Sequence, residues 1–357
     1  MKVLSVDTGT KQYPIYIAND FELLFKAFSD ANLLNKKICI LTDTNVSPIY
    51  SKTIIDLLGG DNIYIYSFEA GENSKNLETI MDFYQFLSSN NFDRSSVLVA
   101  LGGGVVGDMC GFAASTYMRG IPFVQIPTTL LAQVDSSVGG KTGVDFLNNK
   151  NMIGTFYQPE FVFINSSTLK TLPYKEVAAG IAEAIKYGYI QSSDFLEYFF
   201  DNKERIKRLD SEYIDYIIFK SCESKAYVVS QDERESDMRE ILNFGHTFGH
   251  SIESLSKFNM LHGECVAVGM ISALYYSMLK GSIKMEDINK AKELLSYFEL
   301  PISISNYKLD SIYNKMFSDK KTKNGVLNIV ALNSIGDAYT DKGASEEMVK
   351  EAIQYLL

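Results

Sequence analysis

The feature that most restricts the fold is the alternation of short apolar runs with helix-period segments through the first half of the chain. Residues 37–42 (KICILT) form one such run, ending at Asp43, Thr44 and Asn45. Residues 63–68 (IYIYSF) form a second, followed by Gly71-Glu72 and a periodic stretch over 77–87. Residues 97–101 (VLVAL) form a third, ending in Gly102-Gly103-Gly104 and a helical pattern over 105–115, and 123–126 and 161–164 are further strand candidates. This alternation predicts a parallel sheet covered by helices. From Pro173 onward long periodic segments dominate, over 175–189, 194–209, 212–229, 238–255, 264–280 and 285–298, with only 326–332 read as a late strand. The expected architecture is an α/β domain over 1–172 followed by an all-α domain over 173–357.

The 357-residue length fits two domains, and 46% hydrophobic with 22% charged residues predicts a folded core. A net charge of −10 argues against a nucleic-acid partner held by phosphate contacts. An anionic substrate would need a local cluster of Lys and Arg against that background. The four cysteines, Cys39, Cys110, Cys222 and Cys265, form no C-x-x-C pair and read as reduced, buried thiols. The opening MKVLSVDTGT lacks a signal peptide's apolar run, and no uncharged apolar stretch reaches the roughly 20 residues of a membrane span. A soluble cytoplasmic protein with no membrane partner is expected.

All three histidines lie between Met238 and His262. Drawn as one helix over 238–255, this stretch puts Arg239, Asn243, His246, His250 and Glu253 on one stripe. Ile241, Leu242, Phe244, Phe248, Ile252 and Leu255 fill the other faces. Such a helix suits a core position with one side aimed at a wet, charged cavity. Gly245 and Gly249 would each cost about 1 kcal/mol mid-helix, which close approach of another backbone or a ligand can compensate. His246 and His250, at i and i+4, have the spacing at which two imidazoles share a metal. His262 follows, and Glu183, one turn before Lys186, is a candidate carboxylate. The ordinary alternative for any one of these histidines is a satisfied core residue. H-x-x-x-H lacks the glutamate of H-E-x-x-H, which argues against a zincin protease.

The run 101–108 (LGGGVVGD) sits where a strand hands over to a helix, so its backbone can approach a pyrophosphate at a helix N-terminus. It is not G-x-G-x-x-G. A tight turn with glycine-mediated helix packing accounts for it equally well. Asp43 and Asn45 lie at the C-terminal end of a strand, where doubly wound sheets bind ligands, but an Asx turn explains the same pair.

Several motifs occur in order along nearly the whole chain: Gly71-Glu72-x-x-Lys75, 102–108 (GGGVVGD), Met118-Arg119-Gly120, 127–143 (PTTLLAQVDSSVGGKTG) and 150–154 (KNMIG). The second half adds 182–188 (AEAIKYG), 242–250 (LNFGHTFGH), His262-Gly263-Glu264 and Asp319-Lys320-Lys321. Together they resemble the 3-dehydroquinate synthase family of the sugar phosphate cyclase group. The resemblance implies a Rossmann-like NAD-binding α/β domain, an all-α C-terminal metal-binding domain and a homodimer. It also implies a divalent metal, normally Zn2+ with Co2+ as the alternative. Glu183, His246 and His262 are the implied ligands, with His250 left for proton transfer, which replaces the His246–His250 pairing that spacing suggests. The implied NAD contacts are Asp43 and Asn45 near the adenosine, with Glu72, Lys75, Gly103, Gly104, Val105 and Asp108 around the phosphates. Thr128, Thr129, Lys150, Thr168 and Thr171 complete that set. The implied substrate contacts are Asp135, Lys141, Asn151, Lys186, Lys225, Arg239, Asn243 and His250, plus Lys320 or Lys321. Arg119 is implied to reach a neighbouring subunit's site.

The family's substrate, 3-deoxy-D-arabino-heptulosonate 7-phosphate, carries a carboxylate and a phosphate, which a cluster of Lys and Arg suits. The implied reaction oxidises a ring carbon by hydride transfer to NAD+, eliminates phosphate, returns the hydride, and closes the carbocycle by an intramolecular aldol step. His250, Lys186 and Lys141 are the implied catalytic groups. Glu235 aligns with an acid/base position of the family, although a helix-start charge complementing the macrodipole explains it as well. One departure is Asp237, where the family often has glycine, a concern only if that position needs positive φ. The rival readings are another cyclase such as 2-deoxy-scyllo-inosose synthase, a glycerol dehydrogenase-like oxidoreductase, and an inactive NAD-binding protein. Lys225 and Arg239 favour the carboxylate-bearing substrate over the first, and the intact Glu183, Lys186, His246, His250 and His262 set argues against the last.

Overall fold

The computed structural model describes residues 1–147, 149–235, 237–257, 259–317 and 327–357. Two compact units emerge, Met1–Leu172 with Ile214–Arg234, and Pro173–Tyr213 with Glu235–Leu357. The chain thus returns to the first unit for one helical segment that the expected 173–357 domain had claimed. The reason lies in that segment's buried face. Cys222 Sγ donates to the Gln133 carbonyl (3.2 Å) and Lys225 Nζ to the Asp135 carbonyl (2.7 Å), both within the first unit.

In the first unit the order is β1 (Lys2–Asp7), β2 (Gln12–Ala18), α1 (Leu24–Asp30), β3 (Ile38–Asp43), α2 (Ser47–Leu58), β4 (Ile63–Phe68), α3 (Leu77–Ser89) and β5 (Val97–Gly102). It continues with α4 (Gly104–Thr116), β6 (Phe123–Pro127), β7 (Lys141–Phe146), β8 (Asn149–Phe156) and β9 (Val162–Asn165). A seven-stranded sheet runs β1-β2-β9-β6-β5-β3-β4, parallel throughout except for the β1–β2 hairpin. β5, β6 and β9 are buried along their whole length, which is why they read as unbroken apolar runs rather than alternating ones. Alternate residues of each strand feed two cores. Cys39, Leu41, Leu98 and Ala100 pack with α3 and α4 on one face, and Ile38, Ile40, Val97 and Val99 with α1 and α2 on the other.

The chain runs from β3 out to β4, then crosses back to β5 on the other side of β3. The strand order therefore reverses between β3 and β5, whose carboxyl ends carry Asp43 and Gly102. That switch point is where open α/β sheets bind ligands. Two hairpins lie outside the strands expected from the apolar runs. β1–β2 turns through Asp7, whose carboxylate accepts from the Gly9 N–H, and β7–β8 is an isolated pair with exposed apolar side chains such as Leu147.

The second unit holds α5 (Tyr174–Gln191), α6 (Ser193–Lys207), the start of α7 (Ser211–Gln231), α8 (His246–Leu255), α9 (His262–Leu279), α10 (Met285–Tyr297) and α11 (Leu309–Met316). After α11 come β10 (Ile329–Ser334), β11 (Asp337–Asp341) and α12 (Glu346–Gln354). β10 is the expected late strand, and it pairs antiparallel with β11, so the unit is helical with one small hairpin. The single helix expected over 238–255 is instead a 3-10 turn at Met238–Asn243 and then α8, divided by Gly245 in the left-handed region at φ 78°. Gly245 is therefore a junction rather than a mid-helix glycine. Asp237 has φ −158°, outside the left-handed region, so the concern over positive φ does not arise.

The close approach expected of the glycines is present. A Cβ on Gly249 would lie 2.7 Å from the Cys265 carbonyl oxygen, and one on Gly245 would lie 2.8 Å from the Met270 nitrogen, both on α9. On α9 itself, a Cβ on Gly263 would overlap the Ala179 backbone of α5, and one on Gly269 the Gly245 carbonyl. Backbone atoms cannot rotate away as a side chain can. Gly263→Ala is therefore expected to destabilise the protein by about 1–3 kcal/mol or more. Urea unfolding checks this, and a parental midpoint would show that the contact relaxes.

Candidate metal centre and cofactor cluster

These backbone contacts explain how the ionisable groups of the second unit meet. Gly263 brings the first turn of α9 against Ala179, one turn before Glu183 on α5. The Leu261 N–H donates to Glu264 Oε2 at 2.7 Å and fixes where α9 begins, with His262 as its first residue. The three residues His262-Gly263-Glu264 thus supply different things: a ring, a gap for a neighbouring backbone, and a helix cap.

Glu183 and Lys186 are fully buried within α5, with Lys186 Nζ 2.5 Å from Glu183 Oε2. The other oxygen, Glu183 Oε1, lies 3.3 Å from Nε2 of His246 and 3.3 Å from Nε2 of His262. Among the described residues, neither oxygen of Glu183 accepts a hydrogen bond of good geometry. The imidazoles are turned by contacts at their far nitrogens. His246 Nδ1 is 3.1 Å from the Phe244 carbonyl, and His262 Nδ1 is 3.4 Å from Glu253 Oε2. With Nδ1 of each ring donating, each Nε2 presents a lone pair toward a carboxylate oxygen. That is a repulsive arrangement unless a cation or a proton joins it.

The titration behaviour agrees with that picture. Burial pushes the Glu183 carboxyl up, but Lys186 and the two imidazoles outweigh it and hold the group well below the usual carboxylate range. Burial pushes His246 down to about 3, so that ring is neutral. Burial also lowers His262, but the adjacent Glu183 and Glu253 carboxylates overcome this and raise it to about 10. A proton on His262 would satisfy the flanking carboxylates, and a divalent cation would serve in its place. The residues present fit a divalent ion.

His250 completes the group. One ligand atom from each of His246, His250 and His262 falls within 4.8 Å of the others. Its ring, half-buried, lies 5.2 Å from that of His246 and 5.7 Å from that of His262, centroid to centroid. Arg239 is buried to 1% exposure, and Asn243 Nδ2 donates to Glu235 Oε1 at 2.8 Å, which gives Glu235 a partner within the unit. Glu253 lies on the histidine stripe, but the sequence assigns it no role. Its i+7 spacing from His246 is the signal that could have found it.

In the first unit, Asp43 does form the Asx turn, accepting from the Asn45 and Val46 N–H groups at 2.9 Å each and starting α2. The glycine loop lies against Thr128 and Thr129. The Thr128 N–H donates to the Gly102 carbonyl (2.9 Å), and a Cβ on Gly103 would meet Thr129 Cγ2 at 2.9 Å. Gly104 and Val105 open α4, whose N-terminal amides face out of the strand end. Lys75, only 4% exposed, donates to Asp108 Oδ2 and Asn151 Oδ1, both at 2.6 Å. Burial works against charging Lys75, but Asp108 and Glu72 more than reverse it, so the ammonium is held above its usual range. Burial in turn raises Asp108, with Lys75 pulling it back. Lys150 pairs with Glu72 at 3.4 Å, and Lys225 with Asp135 at 2.9 Å.

Other expected positions are less committed to a site. The Thr168 hydroxyl bonds within the fold to Gln133 and Asn165, and Thr171 to Tyr50. Lys141 begins β7 on the exposed side, and Arg119 is exposed with φ 67°. Lys320 and Lys321 lie outside the described residues.

Comparison with known proteins places these clusters in a family context. The family described as 3-dehydroquinate synthase N-terminal matches residues 65–179, and 3-dehydroquinate synthase C-terminal matches 180–322. The chain is 44% identical over 356 residues to 3-dehydroquinate synthase of Acetivibrio thermocellus, covering 99% of both chains. It is 43% identical over 351 residues to that of Ruminiclostridium cellulolyticum, covering 98% of both. Among solved structures, 2-deoxy-scyllo-inosose synthase complexed with carbaglucose-6-phosphate, NAD+ and Co2+ shares the fold at TM-score 0.89 and 24% identity, with full coverage of both chains. A probable glycerol dehydrogenase from Sinorhizobium meliloti aligns at TM-score 0.67 and 15% identity over 96% of this chain and 95% of its own.

The buried Lys75–Asp108 pair permits a direct test. Removing one partner of a buried ion pair leaves an uncompensated charge. Asp108→Ala is expected to destabilise the protein by about 3–5 kcal/mol, read as a lower denaturant midpoint. A change under about 1 kcal/mol would mean, as for a pair open to solvent, that water reaches Lys75.

Proposed function

The chain belongs to the 3-dehydroquinate synthase family, whose activity it carries as a phosphate-eliminating lyase of the shikimate pathway, and we propose that Glu183, His246 and His262 hold a divalent metal while the first unit holds NAD. The observation that carries the ligand assignment is Glu183 Oε1 standing 3.3 Å from Nε2 of both histidines while each Nδ1 is turned to another oxygen. One carboxylate oxygen and two imidazole nitrogens suit Zn2+, the metal assigned here, and also Co2+. When bound, the cation supplies Lewis acidity toward substrate hydroxyl and carbonyl oxygens. NAD supplies a reversible hydride acceptor.

The remaining roles fall to side chains of this chain. His250 moves the proton of the hydroxyl that is oxidised, a role suited to an imidazole near neutral pH. The glycine loop and the amides opening α4, with Thr128 and Thr129, take the pyrophosphate of NAD. Asp43 and Asn45 face its adenosine end, and Glu72, Lys75, Val105, Asp108, Lys150, Thr168 and Thr171 complete the cofactor set. The substrate assigned is 3-deoxy-D-arabino-heptulosonate 7-phosphate. In a chain of net charge −10, the cations assigned to its phosphate and carboxylate are Lys141, Lys186, Lys225 and Arg239. Asp135, Asn151 and Asn243 bind its hydroxyls, and Glu235 holds the Asn243 amide. The proposal includes a homodimer to which exposed Arg119 contributes, and a cytoplasmic location. No described helix is long and apolar enough to cross a membrane.

The full-length relatives at 43–44% identity favour this substrate over those of the more distant cyclases and dehydrogenases. Purified enzyme is expected to release phosphate from the heptulosonate phosphate while absorbance of the NADH band stays flat, and steady NADH build-up would indicate a net dehydrogenase. His262→Ala is expected to lose both bound metal and turnover. His250→Ala should keep the metal and lose about 100- to 10,000-fold in rate. Loss of metal from His250→Ala, measured by elemental analysis, would reverse the ligand assignment.

A further inference from the structure

We infer that Glu253 is the positioning residue for His262: its carboxylate accepts the Nδ1 proton and so holds the ring with the Nε2 lone pair turned toward Glu183. The inference rests on His262 being a metal ligand.

Three observations carry it. The first is geometric. His262 lies between two carboxylates, with Nε2 3.3 Å from Glu183 Oε1 and Nδ1 3.4 Å from Glu253 Oε2, so one ring spans the gap between α5 and α8. The second is the burial of Glu253, at 3% exposure. A buried carboxylate persists only where a donor or a positive charge meets it, and His262 Nδ1 does so. The third is its place in α8. Glu253 sits in the last turn of His246–Leu255, where a negative charge opposes the helix dipole. Helix stability therefore gives no reason for an acid at this position, whereas the contact with His262 does.

The two proposed ligand rings are also held differently. His246 Nδ1 meets a backbone carbonyl, that of Phe244, which no side-chain substitution removes. His262 Nδ1 meets a side chain. A carboxylate polarises an imidazole more than a carbonyl does and makes its other nitrogen a better donor to a cation. The His262 side of the centre is therefore the side whose metal affinity a single substitution can tune.

The test measures the equilibrium affinity of the folded protein for Co2+ by chelator competition, together with the visible absorption of the Co2+ form. Glu253→Ala is expected to weaken Co2+ binding about 10- to 100-fold and to alter the visible band. Glu253→Gln keeps an accepting oxygen without the charge and should fall between Ala and the parent. A purely structural role would lower the unfolding midpoint in both variants yet leave the Co2+ affinity and spectrum of the folded protein unchanged, and that result overturns the inference. Should Glu253→Ala not fold, parental affinity and spectrum in Glu253→Gln overturn it alone. His262→Ala separates the two levels. If it binds Co2+ as the parent does, the ligand assignment itself fails. If it loses Co2+ while both Glu253 variants keep parental affinity, only the role of Glu253 fails.

Discussion

The second unit is organised around one fully buried carboxylate. Glu183 has a lysine ammonium at one oxygen and two imidazole nitrogens at the other, all within 3.3 Å. Burying that charge is tolerable only because positive or proton-bearing groups surround it. The surrounding groups in turn stay put only because other contacts fix them. Lys186 shares its helix, His246 is tied to the carbonyl of Phe244, and His262 is held at a capped helix start. The site is a set of mutually dependent charges, which explains why the helices carrying it are buried nearly throughout.

The distances in that cluster depend on missing side chains as much as on present ones. Gly245, Gly249, Gly263 and Gly269 each occupy a point where a Cβ would strike the backbone of a neighbouring helix or turn. Their absence of bulk lets α5, α8 and α9 approach closely enough for short side chains to converge. Glycine's usual penalty in a helix is offset here by contacts that only close backbones make.

The first unit solves a different problem by the standing rules of parallel sheets. Strands buried on both faces leave their carboxyl ends as the open surface, and the reversal of order between β3 and β5 concentrates that surface at one place. Asp43, the glycine loop and the amides of α4 lie at that end. Nearby Lys75, although nearly enclosed, stays charged because Asp108 and Asn151 receive it. A buried lysine with two polar partners is a rigid cation, suited to positioning an anionic ligand in an acidic protein.

The amino-acid sequence by itself determined the strand–helix alternation of the first unit, because strands enclosed on both sides must be continuously apolar. It also determined the helical texture of the second unit, and it singled out the histidines by their clustering between Met238 and His262. The β1–β2 hairpin leaves a trace in the sequence, since Tyr13, Ile15 and Ile17 of β2 are buried at alternate positions, whereas β8 is exposed or half-buried throughout and carries no apolar run. Periodicity drew one helix over 238–255, yet the left-handed backbone at Gly245 breaks it. The chain's return at 214–234 to the first unit also has no local signature. Spacing paired His246 with His250, and the tertiary structure does bring these two together with His262, while it also sets Glu183 opposite His246 and His262. Which nitrogen of each ring faces the carboxylate, and that Glu253 turns His262, follow only from helices distant in sequence packing backbone to backbone. A hydrogen-bond partner supplied by another helix leaves no periodic trace in the chain that receives it.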